Sequence, residues 1–269
     1  MQIYTDANNA NWNDRAKCHH DSSEVGNLLA KLRNGQSTLK EIEINLLGDI
    51  KGKKVLHLMC HNGLDSISLA LKGANVTAVD FSKESLNYAH EYAAMLNITN
   101  IEFILGDINS HLDSLDNKFD IVFMTYGVLC WLNDLRQVFT NAAKYLKNKG
   151  QLLLIDHHPF LDLLSYEDNK LKLAGQYFHD PIPEECICTT SYIGCGRLAN
   201  PTTYQWSHDI GEIVRSLITS GLKIEHFQEY PYIHYERYPF LTKQEERYLL
   251  PKNMNKIPML FSILASLNV

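Results

Sequence analysis

The feature that most constrains this chain is a regular alternation between residues 54 and 156. Short apolar runs at 54–58, 76–79, 101–105, 120–125 and 152–155 are interleaved with amphipathic stretches at 63–71, 82–96 and 131–146. Runs this short and apolar predict strands buried on both faces, and the intervening stretches carry helical spacing. Strands separated by helices pair in parallel, and right-handed crossovers place helices on both faces. The expectation is a doubly wound α/β sheet. Ligands of such sheets bind beyond the carboxyl ends of the strands. All five ends here are polar or glycine-containing: His57 to Gly63, Asp80, Gly106-Asp107, Tyr126-Gly127, and Asp156-His157-His158.

Composition narrows the partners. The 269 residues carry a net charge of −6, which argues against a nucleic-acid surface, because phosphate binding needs clustered cations. No apolar run approaches the roughly 18 residues of a membrane span. The polar start, Met1 to Trp12, lacks a signal h-region, so a cytoplasmic location is expected. The cysteines (Cys18, Cys60, Cys130, Cys186, Cys188, Cys195) then read as reduced thiols. Cys186, Cys188 and Cys195, near His179, suggest zinc only weakly, because Cys-x-Cys is tighter than the usual ligand gap. They read as loop thiols, and no metal is expected.

The flanks differ from the middle. Residues 1–50 read as a helical cap with helices at 25–32 and 38–47, the second opened by a Thr38/Glu41 capping box. Residues 157–207 form an insertion far longer than the roughly 2–6 residues of ordinary αβ connections, which marks a lid. A helix over 208–220 and strands at 223–230 and 258–267 complete the chain, with a second insertion at 231–257. Exposed aromatics at 231–240 are compatible with a monomer or a homodimer.

Two segments carry a resemblance. Val55-Leu-His-Leu-Met-Cys-His-Asn-Gly-Leu-Asp65, followed by Val76-Thr-Ala-Val-Asp-Phe-Ser82, resembles the class I S-adenosylmethionine-dependent methyltransferases, and within them a bacterial small-molecule-type branch. Gly127-Val-Leu-Cys-Trp-Leu132, His158-Pro-Phe160, Tyr204-Gln-Trp-Ser-His208 and Ile257-Pro258 support it, and the likeness runs from Trp12 onward. It implies a seven-stranded Rossmann-like sheet with an antiparallel last strand. S-adenosyl-L-methionine is then the cofactor, S-adenosyl-L-homocysteine the product, and 51–156 the binding core.

The resemblance also implies roles. Asp80 would accept the ribose hydroxyls, Phe81 would pack on the adenine, and Asp107 with Ile108 would hold the adenine edge. Tyr126 and Gly127 would border the methionine part. His57, Met59, Cys60, Asn62, Gly63, Asp65, Ser82 and Trp131 complete the cofactor set. His57 stands where the family usually has an acid, and Met59 and His61 where it has glycines. A receiver for the cofactor's amino group is therefore not obvious: backbone carbonyls can contribute, and Asp65 at the helix start is a candidate helper or simply a first-turn helix acid.

Methyl transfer from a sulfonium is an in-line displacement, so the protein mainly positions the acceptor and excludes water. If a proton must leave, His158 ranks first as base and His208 second, with Tyr126 as a further catalytic candidate. Trp12, Arg15, His157, Tyr177, Tyr192, Tyr204 and Trp206 are expected around a small-molecule acceptor, aromatic or amine in class. The 12 His and 14 Tyr, concentrated at strand ends and in the insertions, fit such a lining. A dehydrogenase using NAD(P) needs Gly-x-Gly-x-x-Gly after the first strand, which His61-Asn-Gly-Leu-Asp-Ser66 does not offer. A non-catalytic S-adenosylmethionine-binding protein is the other alternative.

Overall fold

A computed structural model describes residues 2–168, 170–194 and 196–267. Its centre is a seven-stranded sheet. The strands are β1 (Lys54–Leu58), β2 (Asn75–Asp80), β3 (Ile101–Leu105), β4 (Phe119–Thr125), β5 (Leu146–His157), β10 (Leu222–Tyr230) and β14 (Leu260–Leu267). They lie side by side in the order β10-β14-β5-β4-β1-β2-β3. The first five are parallel to their neighbours, and β14 runs antiparallel between β5 and β10. The strand order reverses between β1 and β4, where a doubly wound sheet opens a crevice.

Strand alternation sends successive side chains to opposite faces. Leu56, Leu58, Val122, Met124, Leu152 and Leu154 pack against α6 (Leu135–Tyr145) and α7 (Ile210–Thr219). Val55, Ile121, Phe123, Leu153 and Ile155 pack on the other face with α4 (Leu64–Leu71) and α3 (Glu41–Leu47). Helix α5 (Lys83–Met95) is capped by Ser82 and α6 by Asp134. The helix expected from 131 begins later, because Leu129–Trp131 forms a separate 3₁₀ turn at the end of β4.

The N-terminal segment holds a helix that apolar periodicity does not announce, α1 (Gln2–His20), ahead of α2 (Ser23–Arg33). The segment after β5 leaves the main sheet. It forms hairpins β6 (Leu164–Glu167)/β7 (Lys170–Leu173) and β8 (Glu184–Ile187)/β9 (Thr202–Gln205). A small sheet of β11 (Tyr232–Ile233), β13 (Arg247–Leu249) and β12 (Thr242–Gln244) follows β10.

One expectation about cysteines is corrected. Cys18 is disulfide-bonded, while Cys60, Cys130, Cys186 and Cys188 are free. Cys195 lies outside the described residues. No described helix is long and apolar enough to cross a membrane.

Candidate active site

Two cavities meet at the carboxyl edge of the sheet. One, of about 240 Å³, is lined by Met59, Cys60, Asn62, Asp65, Asp80 and Phe81 among others. A small extension of about 20 Å³ adds Asp107, Ile108 and Asn109 to Asp80 and Phe81. The other, of about 410 Å³, is lined by Arg15, His157, Asp162, Trp206, His208 and Arg237. Trp12, Tyr126, Gly127, Trp131 and Tyr192 line both.

The loop after β1 shapes the smaller cavity. Met59, His61 and Gly63 have φ of 58, 52 and 73°. Every second residue is thus left-handed, and two of the three are not glycine. A side chain there is strained. The strain is offset locally: the His61 N–H donates to Asp80 Oδ2 at 2.7 Å. Gly63 itself serves packing, since a Cβ would sit 2.8 Å from the Phe103 ring and 2.9 Å from Ala89.

Asp80 is buried, and its Oδ1 accepts from the Ser82 N–H at 2.8 Å. Burial pushes its carboxyl up to about 6 against these backbone bonds. Ser82 does not line the cavity. Its hydroxyl caps α5 and donates to Asn13. His57 lines the cavity but its Nδ1 meets Ser66 Oγ at 2.7 Å, and burial lowers the ring to about 3, so it is a neutral structural histidine. Asp107 Oδ1 accepts from the Asn109 backbone and side chain. Asn109 Oδ1 and His61 Nε2 are buried without a partner among the described residues, and these residues line the smaller cavity and its extension. A polar, ribosyl-bearing ligand would satisfy such atoms.

Asp65 also lines this cavity. Burial raises its carboxyl against a hydrogen bond from Thr38. Next to it Glu43, 1% exposed, lies against the Tyr126 hydroxyl, and burial pushes its carboxyl up to about 7. Sequence reading missed Glu43, which looked like one acid on a cap helix.

In the larger cavity the loop after β4 is held by Asp156. Its carboxylate accepts from Gly127 N–H, from Val128 N–H at 3.0 Å and from Leu129 N–H at 2.9 Å. The Tyr126 ring lines both cavities, but its hydroxyl is buried toward Glu43 and burial holds it protonated, so it is no base.

The histidine assignments change. His158 faces away from the cavities: its Nε2 bonds Glu229 at 2.8 Å, and its Nδ1 accepts from the Phe160 N–H at 3.1 Å. His157, the last residue of β5, lines the larger cavity instead. The His157 ring nitrogens have no hydrogen-bond partner among the described residues, and burial keeps the ring neutral, at about 4. His208 does line the cavity, but Nε2 meets Leu132 O at 2.7 Å and Nδ1 meets Glu212 at 3.0 Å. Both ring nitrogens are thus engaged by protein oxygens and neither is turned to the cavity for an acceptor. His179 stacks on His208 at 4.9 Å and 9°. Rings so nearly parallel do not aim in-plane lone pairs at one metal ion.

Tyr177 and Tyr204 do not line either cavity. Tyr177 packs on Phe178, and Tyr204 packs on Tyr4 and donates to Glu185. Tyr235, one of the aromatics of the second insertion, lines the larger cavity together with Arg237, which carries no sequence signal. Nothing in local spacing tells that 231–257 folds back to this edge.

A family model described as a methyltransferase domain matches residues 49–228. The ubiquinone biosynthesis O-methyltransferase of Erwinia tasmaniensis is 34% identical over 101 residues, 38% of this chain and 41% of that protein. The malonyl-[acyl-carrier protein] O-methyltransferase of Hamiltonella defensa is 32% identical over 120 residues, 44% of each. The chain therefore spans less than half the length of these relatives. An S-adenosylmethionine dependent methyltransferase from Mesorhizobium loti superposes with a TM-score of 0.58 at 18% identity, over 82% of this chain and 94% of that one. One from Aquifex aeolicus gives 0.52 at 16%, over 84% and 88%. At these identities the structural likeness shows the fold.

Proposed function

The chain belongs to the methyltransferase-domain family, and from that membership we propose that it transfers the methyl group of S-adenosylmethionine to a small-molecule acceptor. The observation that carries this reading is the shared wall: Trp12, Tyr126, Gly127, Trp131 and Tyr192 border both the nucleotide-side cavity and the larger one. A donor in the first and an acceptor in the second meet there. Several relatives are named as O-methyltransferases of ubiquinone biosynthesis or of malonyl-[acyl-carrier protein], and one as an uncharacterized RNA methyltransferase.

Asp80 would hold the ribose hydroxyls, with Phe81, Asp107 and Ile108 around the adenine and Asp65 receiving the ammonium group. When bound, the cofactor supplies an activated methyl on a sulfonium. The residues of this chain then position and shield. Trp12, Trp131 and Tyr192 exclude water, and the loop held by Asp156 fixes Gly127. His157 takes the acceptor's proton where one must leave, in place of the earlier His158 and His208 assignments. Residues 157–207 act as the acceptor lid.

Thermal unfolding tests the reading. S-adenosylhomocysteine is expected to raise Tm in a concentration-dependent way, and NAD(H) is expected to leave it unchanged. A rise with NAD(H) and none with S-adenosylhomocysteine would overturn the proposal.

A further inference from the structure

The acceptor cavity contains a buried cation with no counter-ion. Arg15 is 6% exposed and lines the larger cavity. Its Nε donates to Asn11 Oδ1 at 2.6 Å, and its guanidinium lies over the Trp12 ring at 5.3 Å. No carboxylate forms an ion pair with it among the described residues. A guanidinium has five N–H donors in a planar fork, so the terminal nitrogens are left to a ligand. The neighbours do not compensate, because burial keeps His19 and His61 uncharged beside it. Leaving a buried charge unpaired is costly, which favours an occupant carrying negative charge.

A second cation faces the same space. Arg237 donates to the Tyr235 hydroxyl and Leu161 O. It is ion-paired with Asp162 at 3.6 Å, so of the two guanidinium groups only that of Arg15 has no carboxylate partner among the described residues. Trp131, Trp206 and Tyr235 supply flat apolar walls, and the volume of about 410 Å³ suits a small organic molecule.

We infer that the acceptor is a planar aromatic acid whose carboxylate is received by the Arg15 fork while its ring packs among the indole and phenol walls. The inference rests on the methyltransferase reading and narrows its acceptor class. It argues against the amine class, since an ammonium would enter beside the unpaired Arg15 guanidinium, while the carboxylates lining the cavity, Asp156 and Asp162, are engaged by the 127–129 backbone amides and by Arg237.

The test measures binding of benzoate, benzamide, benzylamine and cyclohexanecarboxylate by calorimetry, with and without S-adenosylhomocysteine. Benzoate is expected to bind at least tenfold more tightly than each of the other three. Arg15→Met is expected to erase the benzoate–benzamide difference, and Arg15→Lys to retain part of it, since a point charge lacks the fork. Equal or tighter binding of benzamide or benzylamine by the unaltered protein would overturn the inference without any variant. So would a loss of S-adenosylhomocysteine affinity in Arg15→Met larger than the loss for benzoate, which would assign the guanidinium to the donor. Failure of S-adenosylhomocysteine to bind the unaltered protein would strike the methyltransferase reading instead. The ranking of the four probes measured without it would still decide the anion preference.

Discussion

Glu43 shows how a single buried side chain sets a property of the whole protein. Its carboxyl moves from 4.5 to about 7 through burial, aided by repulsion from Asp65. A carboxyl whose folded-state pKa lies above its unfolded value stabilises the fold at low pH. That contribution fades as pH rises through the folded value. Stability is therefore expected to fall between pH 4.5 and 7. Glu43→Gln is expected to flatten that fall and to be more stable than the unaltered protein by about 3 kcal/mol at pH 8. Urea unfolding across pH checks it, and parallel curves would contradict it. At this scale the sequence was readable where chemistry is local. Asp80 ends a buried strand and takes its place at the cavity. The left-handed Met59 and His61 were legible only as departures from a glycine pattern. Their backbone angles depend on the Asp80 carboxylate, 19 residues from His61.

Elements explain the histidine reassignment. His157 ends β5 and lines the cavity, whereas His158, one residue beyond the strand, caps the following turn and bonds Glu229. The expected result is a fall in kcat of about 10²-fold or more in His157→Ala, against a small change in kcat for His158→Ala. The reverse pattern would contradict the placement. Helix α1 illustrates what apolar periodicity cannot show. It docks through asparagines: Asn8 accepts from the Tyr204 N–H at 2.7 Å and donates to the Tyr204 carbonyl at 2.8 Å, while Asn9 donates to Phe81 O and Asn11 to Asn200 O. These bonds tie the insertion to the sheet edge, yet their partners lie 72 to 196 residues away. Asn8→Ala is expected to cost about 1–3 kcal/mol locally. Hydrogen exchange should show lost protection at 202–205 with β1 and β4 unaffected, and unchanged exchange in both regions would refute the tie.

For the whole molecule, the sheet was legible because strand and helix periods alternate without interruption from 54 to 156. The larger cavity was not, because its walls come from separated stretches: α1, the loop after β4, the end of β5, the 157–207 insertion, the start of α7 and the segment after β10. Trp12, Trp131, Trp206 and Arg237 meet only through tertiary packing. The central claim is that the cavity bordered by Asp80 holds the methyl donor. Isothermal calorimetry of S-adenosylhomocysteine against the unaltered protein and Asp80→Asn tests it most directly. Saturable one-to-one binding is expected, weakened at least tenfold in Asp80→Asn, about 1.4 kcal/mol or more. No binding, or equal affinity in both proteins, would contradict it.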